Sequence, residues 1–130
     1  YNQNCGSVYY PAPSYTAQVL TKRFADFPST GRQVVFSDSA WVNVFYTPPR
    51  AEENYMIQGP EDTNFYAQPG THFRHGGKIA CVSFLDGHVE TWTMANVPAP
   101  TSWPQEAKDL LDKIGIGYLS EKSVDLYRPY

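Results

Sequence analysis

The chain has 130 residues, of which 42% are hydrophobic and 18% charged, so we expect one folded domain over residues 1–130 and not a disordered tail. The formal net charge is −3 and the longest basic run is Lys22-Arg23, so there is no continuous positive surface for a phosphate backbone and we expect no nucleic-acid partner. Uninterrupted apolar stretches are short compared with the ~20 residues needed to cross a bilayer, so no membrane span is expected in this chain.

The first half of the sequence predicts irregular segments around two strands. Residues 1–16 are rich in Asn, Ser, Pro and Tyr without a clear period, and residues 17–24 fit either a short helical turn or an edge strand. Residues 32–46 (RQVVFSDSAWVNVFY) contain two β-rich pieces around a turn-forming Ser-Asp-Ser, which predicts two strands. Residues 47–70 hold four prolines among polar residues and predict a long irregular excursion, a kind of loop that usually has a function or forms an interface.

The stretch from 73 to 94 predicts a three-stranded antiparallel meander, because three extended stretches alternate with two-residue hairpin turns. The stretches are 73–75, 78–85 and 88–94, and the turns are Gly76-Gly77 and Asp86-Gly87. The middle stretch is nearly continuously apolar and suits a central strand. In this interpretation Asp86 accepts hydrogen bonds from its own turn, Gly87 supplies a left-handed position and His75 bonds across the first hairpin.

The strong helix signal lies at about 104–114 in the sequence. Ser102 is predicted as the N-cap, Ala107 and Leu111 belong to an apolar face at helical spacing, and Gly115 is predicted to end the helix. The fold class is therefore predicted as α+β: an antiparallel sheet with a meander, one C-terminal helix and long loops.

Metal-ligand side chains cluster near the two predicted hairpin turns. These candidate ligands are His72, His75, Asp86 and His88. Residues 72 and 75 differ by an odd number, so on a strand they point to opposite faces, and no cysteine accompanies the four. We therefore expect no bound metal or other cofactor. Calcium at Asp38, Asp62 or Asp86 is the alternative, although the twelve-residue calcium loop is not present.

The two cysteines, Cys5 and Cys81, lie far apart in the sequence, and neither is part of a CxxC pair. They could form one disulfide, or Cys81 could be a small buried hydrophobe within its strand. The residues alone leave both alternatives open.

Catalytic constellations can be assembled from this sequence only by free choice of residues. Those sets are Ser37, His75 and Asp38 for a triad, and two of Glu52, Glu53, Glu61 and Asp62 for a carboxylate pair. The sequence contains no nucleophile elbow, HExxH helix or phosphate-binding glycine loop. We therefore expect that the chain is not an enzyme.

The segment THFRHGGKIACVSFLDGHVETW (71–92) resembles the prepilin-type, processing-associated H-X9-DG domain of bacterial type IV pilin-like and type II secretion pseudopilin-like proteins. His75, Asp86 and Gly87 match its signature residues. Residues 34–45 and 116–127 also resemble parts of that family. Ten residues separate His75 from Asp86 instead of nine, which predicts a bulge or a wider turn between residues 76 and 83.

This resemblance implies a pilin-like globular head at the cell surface or outside the cell. The family's N-terminal processing site and long hydrophobic helix do not occur in this sequence. The expected function is that of a structural subunit of an extracellular filament, whose partner is another copy of the chain or a helix-bearing pilin. The apolar face of the sheet would then be covered by the predicted helix, by the 47–70 excursion or by a neighbouring subunit.

The alternative is a secreted module that binds a glycan or a protein through the 47–70 excursion, assisted by calcium. Its candidate contact residues, which are also candidates for a subunit interface, are Tyr46, Tyr55, Phe65 and Tyr66. Aromatic side chains suit either task because they cover a large area and, in Tyr, keep a polar group in water.

Overall fold

The structure is a computed structural model that describes residues 8–9, 18–19, 23, 25, 27–61, 68–76, 78–122 and 126–127. Its strands are β1 (Val8–Tyr9), β2 (Gln18–Val19), β3 (Val34–Ser37), β4 (Ala40–Asn43), β5 (Arg50–Glu53), β6 (Thr71–His72), β7 (Ile79–Phe84), β8 (Val89–Thr93) and β9 (Ile116–Gly117). A 3-10 turn covers Thr30–Arg32 and the helix α1 covers Gln105–Ile114. Antiparallel pairing throughout these strands, together with α1, confirms the predicted α+β class.

The central sheet has the strand order β3-β7-β8. The β7–β8 hairpin is the one that the sequence predicts, and its register runs without interruption from Ile79↔Thr93 to Ser83↔Val89. The predicted first strand of the meander, residues 73–75, is wrong, because β3 pairs with β7 on the side opposite β8. Residues 73–75 meet β7 only at the isolated bridge between His75 and Ile79, and Phe73 donates its amide to Gly115 instead, at 2.7 Å.

The extra residue between His75 and Asp86 is accommodated in the turn before β7. The main chains of His75 and Ile79 bond to each other in both directions, at 3.1 and 3.3 Å, so three residues and not two close this turn. Lys78, the last of the three, has a φ of 64°. The wider-turn alternative is therefore confirmed. The register shift in the sheet lies on the partner strand β3, between Val34 and Phe36.

The main core lies on the inner face of the central sheet. Its buried members are Val34, Ile57, Phe73, Ala80, Val82, Phe84, Leu119, Leu126 and Tyr127. Alternate residues of β7 point inward, and the chain after β9 covers them. The Tyr127 hydroxyl accepts the Leu119 amide at 2.7 Å, and the Gln33 side chain donates to the Leu126 and Tyr127 carbonyls at 3.1 Å each.

Helix α1 packs against a different part of the molecule. Its buried residues Ala107 and Leu111 contact Val42 of β4 and Ile116 of β9. Its end is as predicted, with Gly115 at a φ of 73° and its amide bonded to the Leu111 carbonyl at 2.9 Å. The start of α1 differs from the prediction, because the N-cap residue is Pro104 and not Ser102.

Two further expectations are corrected by short strands. Residues 1–16, expected to be irregular, contain β1, which pairs with β2, so of the two alternatives for residues 17–24 the strand is the one that forms. Residues 47–70, also expected to be irregular, contain β5, which pairs with β4 from Ala40↔Glu53 to Asn43↔Arg50. Over the part of the chain that is described, we find no helix whose length and apolar character would let it cross a bilayer.

Candidate functional site

Asp38 lies where β3 leaves the central sheet, and it joins three segments of the chain. The last regular pair of the ladder is Ser37↔Val82. One residue further on, the Asp38 amide donates to the Cys81 carbonyl at 3.3 Å, and the Asp38 carboxylate accepts the Cys81 amide at 3.0 Å. The Asp38 side chain therefore accepts the Cys81 amide in the way that a backbone carbonyl of a neighbouring strand would. The Asp38 carbonyl also accepts the amide of His72 at 2.9 Å.

Two basic side chains converge on the same carboxylate. Arg74 Nη2 lies 2.8 Å from Asp38 Oδ1, and His75 Nε2 lies 2.9 Å from Oδ2. Partial burial by itself would raise the pKa of Asp38, but the Cys81 amide, the Arg74 charge and His75 together hold that pKa below its ordinary value. Asp38 is therefore an ionised and almost covered group, with its side chain 11% exposed.

Cys81 completes a cluster of three ligand-type side chains, which we call the Asp38 cluster (Asp38, His75 and Cys81). Its thiol is free and exposed among the described residues, so the alternative of a small buried hydrophobe is wrong. The possible disulfide with Cys5 stays a prediction, because Cys5 lies outside the described residues. One ligand atom from each of the three residues lies within 4.8 Å of the other two. In the described part of the chain, this is the single such group of three.

The predicted four-residue ligand set is not brought together. His75 turns to Asp38, while Asp86 and His88 pair with each other, and His72 lies on β6, which pairs with β9. Asp62, one of the calcium candidates, lies outside the described residues.

The sequence-based triad is only half assembled. His75 and Asp38 do meet, as the triad requires. The Ser37 hydroxyl, however, donates to the Asp38 carbonyl at 3.2 Å. Sequence reasoning considers Cys81 for a disulfide or a buried position but does not include it among the candidate ligands. Small or polar residues at 81 and 83 alternate with Ala80, Val82 and Phe84, and this period of two was the available signal that Cys81 faces outward.

The Asp86-Gly87 turn has the structural role predicted for it. The Asp86 carboxylate accepts the amide of His88 at 3.2 Å, and Gly87 has a φ of 94°. Hydrogen bonds from the side chain and then the amide of His88 lower the pKa of Asp86. The His88 ring stacks on Phe84 with the ring centroids 4.4 Å apart. The predicted bond of His75 across its own hairpin is made by its main chain, whereas its side chain bonds Asp38.

A separate cleft of about 380 Å³ lies beside the β4–β5 hairpin. Its lining includes Trp41, Glu52, Asn54, Tyr55, Met56 and Gln68. The Glu52 carboxylate accepts hydrogen bonds from the Asn43 side-chain amide at 2.9 Å and from Arg50 Nε at 2.8 Å. The hydrogen bond from Asn43 contributes most to the lowered pKa of Glu52.

The candidate contact aromatics divide between this cleft and its surroundings. Tyr55 lines the cleft and is 73% exposed. Tyr46 lies outside the lining, and the guanidinium carbon of Arg50 lies 3.4 Å from the centre of its ring. Phe65 and Tyr66 lie outside the described residues.

Comparisons with protein-family models, with curated proteins and with solved structures found no match to this chain. The function is therefore argued from the geometry and from the resemblance of residues 71–92.

Proposed function

We propose that the chain is a structural subunit of an extracellular filament of the pilin or pseudopilin kind, and that the outer face of its central sheet is a subunit contact. The observation that carries this proposal is a row of side chains across that face. Phe36, Ser83 and Val89 are paired neighbours on the three strands. They point away from the core because Val82 and Phe84, on either side of Ser83, point into it.

This row is apolar and exposed at both ends. Phe36 is 59% exposed and Val89 is 66% exposed. Between them, the Ser83 hydroxyl is shielded from solvent and has no hydrogen-bond partner among the described residues. Burial of side chains such as these contributes about 1.5–3 kcal/mol each when it is complete. Burial of this face against a partner would therefore stabilise the assembly.

The size of the row suits an α-helix. Two strand spacings amount to about 9.6 Å, close to the ~10–12 Å diameter of a helix with its side chains. Helix α1 packs on β4 and β9, and the chain after β9 covers the inner face, so neither occupies this row. The resemblance to pilin-like proteins, in which a long helix supports the head, supplies the occupant: a helix of a neighbouring subunit or of a pilin partner.

The experiment measures self-association of the purified chain. We expect light scattering to show an average mass that rises with concentration, and electron micrographs to show filaments. Phe36→Ser combined with Val89→Ser should abolish both. Tyr55→Ser is the matched control, because Tyr55 is exposed to a similar degree but lies at the cleft. A chain that stays monomeric at every concentration and does not bind an added helix-bearing pilin, or association that survives the double substitution, would contradict the proposal.

A second candidate function is glycan binding, which the cleft beside β4–β5 favours. Its volume of about 380 Å³ fits a small ligand, and its lining pairs the aromatic rings of Trp41 and Tyr55 with carboxylate and amide groups. Aromatic faces pack on the C–H faces of sugars, while carboxylates and amides bond their hydroxyls. Calorimetric titration with oligosaccharides tests this function. Tyr55→Ala should remove binding, whereas Phe45→Ala, at an exposed residue outside the lining, should preserve it.

A further inference from the structure

We propose that the Asp38 cluster binds one divalent transition-metal ion of the zinc class. The cluster offers three different ligand types: a carboxylate oxygen from Asp38, an imidazole nitrogen from His75 and a sulfur from Cys81. Thiolate and imidazole select zinc, cobalt or a similar ion over calcium and magnesium, which prefer sites made of oxygens alone.

The spacing of the three ligand atoms is close to that of a metal site. Bonds of 2.0–2.3 Å in a tetrahedral zinc site place neighbouring ligand atoms roughly 3.3–3.7 Å apart. In the cluster, His75 Nε2 and Asp38 Oδ2 are 2.9 Å apart, and all three ligand atoms lie within 4.8 Å of one another. Displacements of roughly 1 Å would bring ligand atoms at these separations to the spacing of a tetrahedral site. Cys81 and His75 have room for them, since both are exposed.

The surrounding bonds hold the ligands in place on rigid backbone. Cys81 lies on the central strand, where it pairs with Thr91 on one side and bonds Asp38 on the other. The turn closed by His75 and Ile79 fixes the His75 backbone. Arg74 occupies Asp38 Oδ1, whereas Oδ2 accepts the Cys81 backbone amide and lies beside His75 Nε2.

Metal binding replaces existing interactions in a defined way. The ring of His75 exchanges its hydrogen bond to Asp38 for a bond to the metal, and the Cys81 thiol releases its proton to solvent as it binds. The charges of the carboxylate and the thiolate then balance the two positive charges of the ion. Three protein ligands leave a fourth position for water or for a group from another molecule. This site lies on the same outer face of β7 as the proposed filament contact, since Cys81 is two residues from Ser83, and it is separate from the cleft.

The test uses cobalt(II) as a spectroscopic probe with the reduced 130-residue chain. One equivalent of Co²⁺ should produce a sulfur-to-cobalt charge-transfer absorption in the near ultraviolet, which Zn²⁺ should then remove by competition. Cys81→Ser should abolish the absorption. His75→Ala and Asp38→Asn should each weaken Co²⁺ binding about tenfold or more, as loss of a bonded or supporting group does at metal sites.

Two control variants separate this site from adventitious binding. Cys5→Ser should retain the absorption, which excludes the other thiol of the chain as its source. His88→Ala should bind Co²⁺ as the unaltered chain does, because His88 pairs with Asp86 and lies outside the cluster. No absorption at one equivalent, or an absorption that persists in Cys81→Ser or is unchanged in both His75→Ala and Asp38→Asn, would overturn the proposal. Circular dichroism of each variant ensures that the comparison is made on folded protein.

Discussion

Replacement of Asp38 by alanine should lower the free energy of unfolding by about 2–4 kcal/mol. The largest part comes from the Cys81 amide, which sits in a central strand and loses its acceptor, at about 1–3 kcal/mol. Arg74 and His75 are about half exposed and regain water, so each ion pair contributes only about 0.2–1 kcal/mol. The measurement is denaturant unfolding at pH 7, followed by tryptophan fluorescence.

The matched control is Asp38→Asn, which separates the effect of the hydrogen bond from the Cys81 amide from the effect of the carboxylate charge. The Asn side-chain oxygen can still accept the Cys81 amide, so only the two exposed ion pairs are lost and we expect a cost of about 0.4–2 kcal/mol. The reasoning would be refuted if Asp38→Ala lay within about 0.5 kcal/mol of the unaltered chain. It would also be refuted if the two variants were equally unstable.

The same pair of proteins gives a pH dependence with a defined sign. The folded-state pKa of Asp38 is lowered from its ordinary value of 3.8, so the unfolded chain takes up the proton first as the pH falls. The stability that ionised Asp38 contributes is fully present above pH 3.8 and is lost as the pH falls through its folded pKa. The stability difference between the unaltered chain and Asp38→Asn should therefore shrink below pH 3.8. A difference that stays constant or grows there would refute the assigned interactions.

Three further predictions concern stability and share the same unfolding assay. Gly87→Val should cost about 1–3 kcal/mol, because the φ of 94° strains a branched residue. The control Gly76→Ala, with open space around it, should be within about 0.5 kcal/mol of neutral. Equal costs of the two substitutions would refute the turn assignment. Gly115→Ala should cost about 1–2 kcal/mol because the φ of 73° is left-handed, and a neutral result would show that the helix end can rearrange. Tyr127→Phe should cost about 1–3 kcal/mol, since the buried Leu119 amide loses its acceptor, and a cost below 0.5 kcal/mol would mean that water replaces it.

The parts of the fold that the sequence predicts correctly depend on short-range signals. The β7–β8 hairpin follows from Asp86-Gly87 between two β-rich stretches, and the end of α1 follows from Gly115. Each signal acts within a few residues, so no knowledge of the rest of the chain is needed. The predicted start of α1 at Ser102 is wrong because Ser102 and Pro104 both suit a helix beginning, and only the path of the preceding chain selects between them.

The candidate sites were predicted only in fragments. The sequence offers His75 and Asp38 as separate candidates, but they are 37 residues apart and other partners are equally available in the sequence. The cleft beside β4–β5 was missed because the prolines of 47–70 indicated irregular structure, while β5 forms by pairing with β4. Tyr55, a candidate contact residue in the sequence, is exposed at the cleft, and Trp41, which lines the same cleft, comes from β4.

The sequence by itself determined the α+β class, the β7–β8 hairpin with its fold-determining turn, and the end of the helix, because turn chemistry and hydrophobic period are local properties. Only the tertiary structure decided that β3 and not residues 73–75 pairs with β7, and it is this pairing that brings Asp38 beside Cys81 and His75. It also decided which face of β7 is covered, and so left the Cys81 thiol and the side chains of Phe36 and Val89 exposed. Pairing and coverage depend on contacts between distant segments, whose competing arrangements have similar local patterns and differ only in the surface that they bury.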